Sequence, residues 1–362
     1  KWRSAFLGRD GNIYCPPWNA SHVLRINTTD CSVELIGPDF GNLEEKWRTG
    51  VHAKDGSIIC QPWGAPQVLR IDTTDGTVEL IGPDFGIGGG KWKAAVTLWD
   101  GRIWCPPCDA SHILRIDPEA KTAELVGPSL GPTPGKYWAA IMNASGEIFC
   151  PPWCASRTLF IDTQATTAEL IGPDFGSVQS KWRCIALSSG SIAFSPPCCA
   201  KKVLRIDIEE RTVDEVGPDM CYGGFKYSAA FHGEDGSVWC PPWCGSKVMR
   251  IDPPDGKIDL LRPDLGLGGG KFRVNIVGPD GYILCVPWSC QAALRIDTTK
   301  STIEVLKPMH GIQRDKWGAG AMNRWSCLLC PPCSASKVFN VGFLDMSADG
   351  QKKDKKDKID EQ

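Results

Sequence analysis

The chain has 362 residues, with 40 basic against 42 acidic side chains and a formal charge of −2. That balance supplies no global field to recruit nucleic acid or an anionic membrane, and no apolar run reaches the roughly 20 residues of a membrane span. The first residue is Lys1 rather than Met, so the lack of a visible leader says nothing about targeting.

A 45-residue unit recurs without linkers from Lys1, Lys46, Lys91, Lys136, Lys181, Lys226 and Lys271, and a shorter eighth copy begins at Lys316. A period of this size is the signature of a repeat architecture. In the second copy, Lys46 to Ala53 is an apolar run rich in small residues, and Asp55-Gly56 is a turn pair. Ser57 to Cys60 reads as a strand, which Pro62 ends because proline cannot donate to a ladder. Gln67 to Asp72 alternates with period two, Thr73 to Gly76 turns the chain, and Thr77 to Ile81 is a fourth strand. A Gly-Pro-Asp-Phe-Gly stretch (Gly82 to Gly86) then leads to the next copy.

Four short strands per 45 residues predict the blade of an all-β propeller. The 28 prolines and 39 glycines exclude a helical solenoid, and the coils of a β-helix are shorter. We therefore expect an eight-bladed β-propeller over residues 1–345. Its blades are 1–45, 46–90, 91–135, 136–180, 181–225, 226–270, 271–315 and an incomplete 316–345. No counterpart of the fourth strand follows Phe343, so the last blade is expected to have three strands and an open edge, completed by a segment upstream of Lys1. Residues 346–362, rich in Lys and Asp, are expected to be a disordered charged tail.

The order of apolar run, Asp-Gly, Ile-x-Cys and Val-Leu-Arg-Ile-Asp resembles the repeat of NHL-type and SMP-30/gluconolactonase-like propellers. The resemblance covers every copy and lies in strand grammar. It implies that the first run is the innermost strand and the Thr-Val-Glu-Leu-Ile strand the outermost. The Asp-Gly and Thr-Thr-Asp-Gly turns would share one face, and the Pro-Pro-Trp and Gly-Pro-Asp-Phe-Gly loops the other. Lactonases of that superfamily hold a divalent metal in the channel with Glu, Asp and Asn of the inner strands. Here positions 2 to 8 of the eight inner runs contain neither Asp nor Glu, which speaks against metal-dependent hydrolysis. No metal or other cofactor is expected.

With the apolar runs innermost, Lys1, Lys46, Lys91, Lys136, Lys181, Lys226, Lys271 and Lys316 would ring one mouth of the channel. Arg3, Arg48, Lys93, Arg183 and Arg273 would add charge two residues on. Such a ring attracts anions, unless each lysine pairs with the Asp of a neighbouring loop and lies on a tryptophan. Trp18, Trp63, Trp153, Trp243 and Trp288 form either an exposed aromatic platform or wedges between blades.

Among the 18 cysteines, Cys15, Cys60, Cys105, Cys150, Cys240, Cys285 and Cys330 share one register. Equivalent residues of adjacent blades lie on the order of 10 Å apart, beyond the reach of a disulfide, so buried thiols are expected. The Cys-Pro-Pro-Cys pairs Cys105/Cys108 and Cys330/Cys333 lack the βαβ context of a redox enzyme, and three blades of separation keep them from one zinc site. Unpaired cysteines point to a reducing, cytoplasmic compartment, whereas sequons at Asn19, Asn27 and Asn143 point the other way.

Near-identical copies suit a non-catalytic scaffold that binds a protein partner through the Trp/Pro loop face, with a small anionic ligand as a further partner at the channel mouth. The alternatives are a hydrolase or lactonase sited where symmetry breaks, around the fifth copy, and a lectin-like propeller with repeated sites for anionic or sugar ligands.

Overall fold

A computed structural model describes residues 1–306 except 222, 254, 279 and 291, and beyond them 317, 320–322, 327–330, 339–342 and 360–361. In each complete copy the chain runs up and down four times before moving to the next. The first copy forms β1 (Phe6–Leu7), β2 (Ile13–Cys15), β3 (Val23–Ile26) and β4 (Val33–Ile36), antiparallel neighbours in sequence order. Contacts between β1-type strands of adjacent copies, such as Ala186–Leu187 with Phe231–His232, place them innermost around a common axis.

Local chemistry bounds these strands. The Asp10 carboxylate accepts the Asn12 N–H at 3.0 Å, and Gly11 adopts φ 83°, so the chain reverses between β1 and β2. Thr28 Oγ1 donates to the Gly11 carbonyl at 2.7 Å and ties the β3–β4 turn to that first turn. The same bond recurs at Thr73–Gly56 and Thr163–Gly146, so both turns occupy one face. On the other face the Lys1 carbonyl accepts the Trp18 N–H, and the Trp18 carbonyl accepts the Lys46 N–H.

Burial follows from stacking blade on blade. Strand β2 is covered on both sides, with Ile13, Tyr14 and Cys15 at most 1% exposed, whereas β4 is largely exposed. The core lies between blades: Tyr14 and Val23 of the first copy pack against Trp47, Ile58, Cys60 and Leu69 of the second. Trp47 Nε1 donates to the Gln67 carbonyl at 3.0 Å, and its ring meets Phe40 of the preceding Gly-Pro-Asp-Phe loop edge-on at 4.9 Å. The Phe85–Trp92 and Phe175–Trp182 pairs repeat this. The phenylalanine of the loop is thus a wedge that seats one blade on the next. The outer ends approach so closely that a Cβ built on Gly37 (φ 79°) would stand 2.6 Å from Val78 Cβ.

The all-β propeller holds, but the number and completeness of its blades correct the expectation. Seven four-stranded blades are formed by the seven complete copies, rather than the expected eight of which the last is incomplete. The strands Ala321–Met322, Cys327–Cys330 and Phe339–Gly342 form a further sheet, and it is not left three-stranded. Asp360–Glu361 pairs antiparallel with Phe339–Asn340 as its fourth strand. A two-residue edge needs only backbone donors and acceptors, so the polar sequence after Phe343 gave no sign of it. Of the tail expected to be disordered, 346–362, residues 360–361 are the described part and form this strand; the rest lies outside the described residues.

Candidate functional site

Position 1 of each copy precedes the inner strand, and its side chain folds back over the loop that has just ended. Lys181 Nζ donates to the carbonyls of Gly176 (3.1 Å) and Val178 (2.7 Å). Lys46, Lys91, Lys136 and Lys226 reach the carbonyls three and five residues before them in the same way. Lys271 holds Gly268 and Gly245. Lys46, Lys136 and Lys181 are at most 2% exposed, and burial lowers the pKa of each. These lysines do not ring the channel mouth; they clamp the loops.

Their acceptors are backbone carbonyls rather than the loop aspartates. Each of those carboxylates instead takes the N–H two residues on, as Asp174 does from Gly176 at 2.7 Å. Lys1 is exposed, and Lys316 lies outside the described residues.

The Pro-Pro-Trp tryptophans turn inward. Trp18, Trp63, Trp153 and Trp288 are at most 8% exposed, and Trp243 is half-buried. Trp18 and Trp63 have centroids 6.3 Å apart; Trp138 meets Trp63 at 5.6 Å and Trp153 at 5.2 Å. This collar corrects the expectation of an exposed platform. The wedges between blades are the loop phenylalanines and the position-2 aromatics they meet, not these tryptophans. Cys108 replaces the collar tryptophan in the third copy and packs into the same cluster.

Because side chains alternate along an extended segment, position 3 points the opposite way from the buried position 2, toward the axis. Arg3, Arg48, Lys93, Trp138, Arg183, Ser228 and Arg273, position 3 of the seven complete copies, all line one central cavity of about 420 Å³. Small-molecule sites occupy roughly 300–1,000 Å³. The guanidiniums cap the collar: Arg3 lies 4.5 Å from the centroid of Trp18, Arg48 4.8 Å from those of Trp63 and Trp138, and Arg273 4.5 Å from that of Trp288.

Among the described residues, no Asp or Glu lines this cavity. Burial first, then the charges of Arg3, Arg273 and Arg183, bring the Arg48 pKa down to about 9, which leaves it a cation at neutral pH. Protein surrounds Lys93 although it keeps some accessible surface. That desolvation, followed by repulsion from Arg48 and Arg183, lowers its pKa to about 7. The nearby thiols do not compensate: burial pushes Cys108 and Cys184 up to about 12, so both are neutral. Ser4 is 8% exposed, lines the cavity, and its hydroxyl has no hydrogen-bond partner among the described residues. The arrangement is a concentration of positive charge, suited to holding an anion.

Sequence reasoning named the five cations only as additions to the lysine ring, and it missed Ser4, Trp138 and Ser228. The available signal was the position-3 column itself, which reads Arg, Arg, Lys, Trp, Arg, Ser, Arg down near-identical copies. Of the inner-strand histidines, His232 Nδ1 meets the Leu187 carbonyl at 3.0 Å and His52 packs edge-on against Phe6; neither lines the cavity. The register cysteines are buried, and the described cysteines are free thiols. Cys333 lies outside the described residues.

The fold is that of a β-propeller, and solved propellers superpose on it. A streptogramin B lyase superposes with a TM-score of 0.60 at 16% identity, over 79% of this chain and 90% of that one. A periplasmic gluconolactonase from Pseudomonas aeruginosa gives 0.54 at 14% identity, covering 81% and 92%. A catalytically inactive virginiamycin B lyase from Staphylococcus aureus, with quinupristin, gives 0.55 at 16%, covering 82% and 90%. At these identities the likeness is one of fold. No family model and no curated protein sequence matches the chain.

Proposed function

We propose that this protein is a propeller that binds a compact anionic ligand in its central channel. The observation that carries this reading is the convergence of Arg3, Arg48, Lys93, Arg183 and Arg273 on one cavity whose described lining has no carboxylate. Mutual repulsion and desolvation make such a cluster costly to hold without a counter-charge. The arginine stacking on the collar offsets this by only about 0.5–2 kcal/mol per contact. The low-dielectric walls focus the field on the cavity. The earlier expectation of a protein partner on the Trp/Pro loop face loses its support, because those tryptophans are turned into the collar.

In the same reading the last sheet acts as an eighth blade that closes the ring around the site. Its Ala321 and Leu329 pack with Ile13, Cys15 and Ile26 of the first copy, and its Leu328 and Cys330 with Leu284 and Val286 of the seventh.

Isothermal titration with tripolyphosphate tests the binding. Arg48→Met and Arg183→Met should each weaken it more than tenfold, and rising salt should weaken it in the parent protein. Because each replacement relieves repulsion, it should leave the melting temperature unchanged or raised, as expected where a site trades stability for function. Unchanged tripolyphosphate binding in both variants, or no binding to the parent, overturns the proposal.

A further inference from the structure

Resting on the anion site just described, we propose that Lys93 is the reactive amine of a Schiff-base site that captures a small 2-oxo acid in the channel. Of the position-3 residues lining the cavity, Lys93 alone carries a primary amine; the guanidiniums around it are cations with no comparable nucleophile. Lys46, Lys91, Lys136, Lys181, Lys226 and Lys271 spend their ammonium groups on loop carbonyls. Lys93 Nζ has no hydrogen-bond or ion-pair partner among the described residues and stands 6.0 Å from the Trp138 ring centroid.

The charged and titratable groups acting on it are Arg48, Arg183, Arg273 and the neutral thiol of Cys108. A desolvated lysine among fixed cations sheds its proton readily, and the free amine is then a nucleophile. With its pKa near 7, a large fraction of Lys93 is unprotonated at neutral pH.

The same cations select the substrate. A guanidinium presents a planar fork that matches a carboxylate with two parallel hydrogen bonds. In a 2-oxo acid the electrophilic carbonyl is one bond from that carboxylate. Arg48 or Arg183 holding the acid therefore brings the ketone or aldehyde carbon to the amine. The lone pair of Lys93 Nζ forms a C–N bond while the C=O π bond opens to a carbinolamine. The oxygen then leaves as water, which carries away both amine hydrogens and leaves the imine, so no further reactant is needed.

The full chain is incubated with glyoxylate and sodium cyanoborohydride at pH 7, and the reduced adducts are mapped by peptide mass spectrometry. The proposal expects one dominant adduct, on Lys93, saturating at one per chain and suppressed by tripolyphosphate. Acetaldehyde, which lacks the carboxylate, should modify Lys93 at least tenfold more slowly. Lys93→Arg should keep the near-UV circular dichroism of the parent, which reports its fold, yet form no channel adduct.

Adducts spread over exposed lysines such as Lys54, or none on Lys93, in a parent protein that binds tripolyphosphate would overturn this inference and leave the anion site standing. Equal rates for acetaldehyde and glyoxylate would overturn it as well. Failure of tripolyphosphate to bind the parent removes the anion site and this inference together.

Discussion

Replacing Lys181 by Met tests whether the repeated lysines are clamps. Lys181 is 2% exposed, and its Nζ makes two bonds, at 3.1 Å to the Gly176 carbonyl and 2.7 Å to the Val178 carbonyl. Methionine fills much of the same volume but donates nothing, so both carbonyls lose a charge-assisted partner. Each such bond contributes roughly 1.5–3 kcal/mol net. Desolvating the ammonium, visible in its lowered pKa, takes back part of that. A net loss of about 2–4 kcal/mol follows from the same range. Urea unfolding reads the loss, and amide exchange should rise at Gly176 and across residues 173–181, the span tied together by this one side chain. Lys54→Met, at an exposed position, is the control and should stay within about 0.5 kcal/mol of the parent. If Lys181→Met is no more destabilised than Lys54→Met, the clamp has no energetic role and the argument fails.

The register thiols should be inert in the folded protein. Cys15, Cys60, Cys105, Cys150, Cys240, Cys285 and Cys330 are 0% exposed, and burial pushes each thiol well above its ordinary pKa. Iodoacetamide at neutral pH should label exposed Cys221 first, and all seven only after denaturation without reductant. Native labelling of the seven at the rate of Cys221, or their failure to label when unfolded, contradicts this. Stability should also rise with pH from about 6.5 to 8. The folded pKa of Lys93 is about 7, below the roughly 10.4 of an unfolded lysine. In that window the unfolded chain therefore holds a proton the folded chain has released. Lys91, lowered to about 8 by desolvation, acts in the same direction. Above roughly 8.5, the ordinary thiol pKa, the buried cysteines oppose it. The melting temperature of Lys93→Met should rise less steeply than that of the parent, and equal slopes would refute the assignment.

What the sequence made legible is what local chemistry decides. Strand spacing and the Asp-Gly reversal follow from residues within one copy, one copy predicts the other six, and the two-face arrangement comes from the resemblance to known propellers. What it concealed depends on how copies meet. In six of the seven complete copies the inner strand is only two residues long, Val51–His52 in the second, so no periodicity distinguishes the side that faces the axis from the side that faces a neighbour. Position 2, buried between blades, and position 3, lining the channel, look alike until their neighbours are placed. Position 1 seemed to belong to the channel because it is charged, yet its acceptors are carbonyls of the loop before it.

The fifth copy shows the converse. Its departures drew attention as the place where symmetry breaks, but Ser195 Oγ donates to the Cys184 carbonyl, and Cys198 and Cys199 pack beside Trp153. Structure absorbs these changes. The asymmetry that reaches open space is in the third, fourth and sixth copies, where Lys93, Trp138 and Ser228 replace the arginine of the axial column. A repeat that held arginine at every position 3 would present a uniform positive ring. Here one amine stands next to one aromatic face, with guanidiniums to either side, and chemistry that needs distinct groups at distinct places becomes available to a scaffold built from one repeated unit.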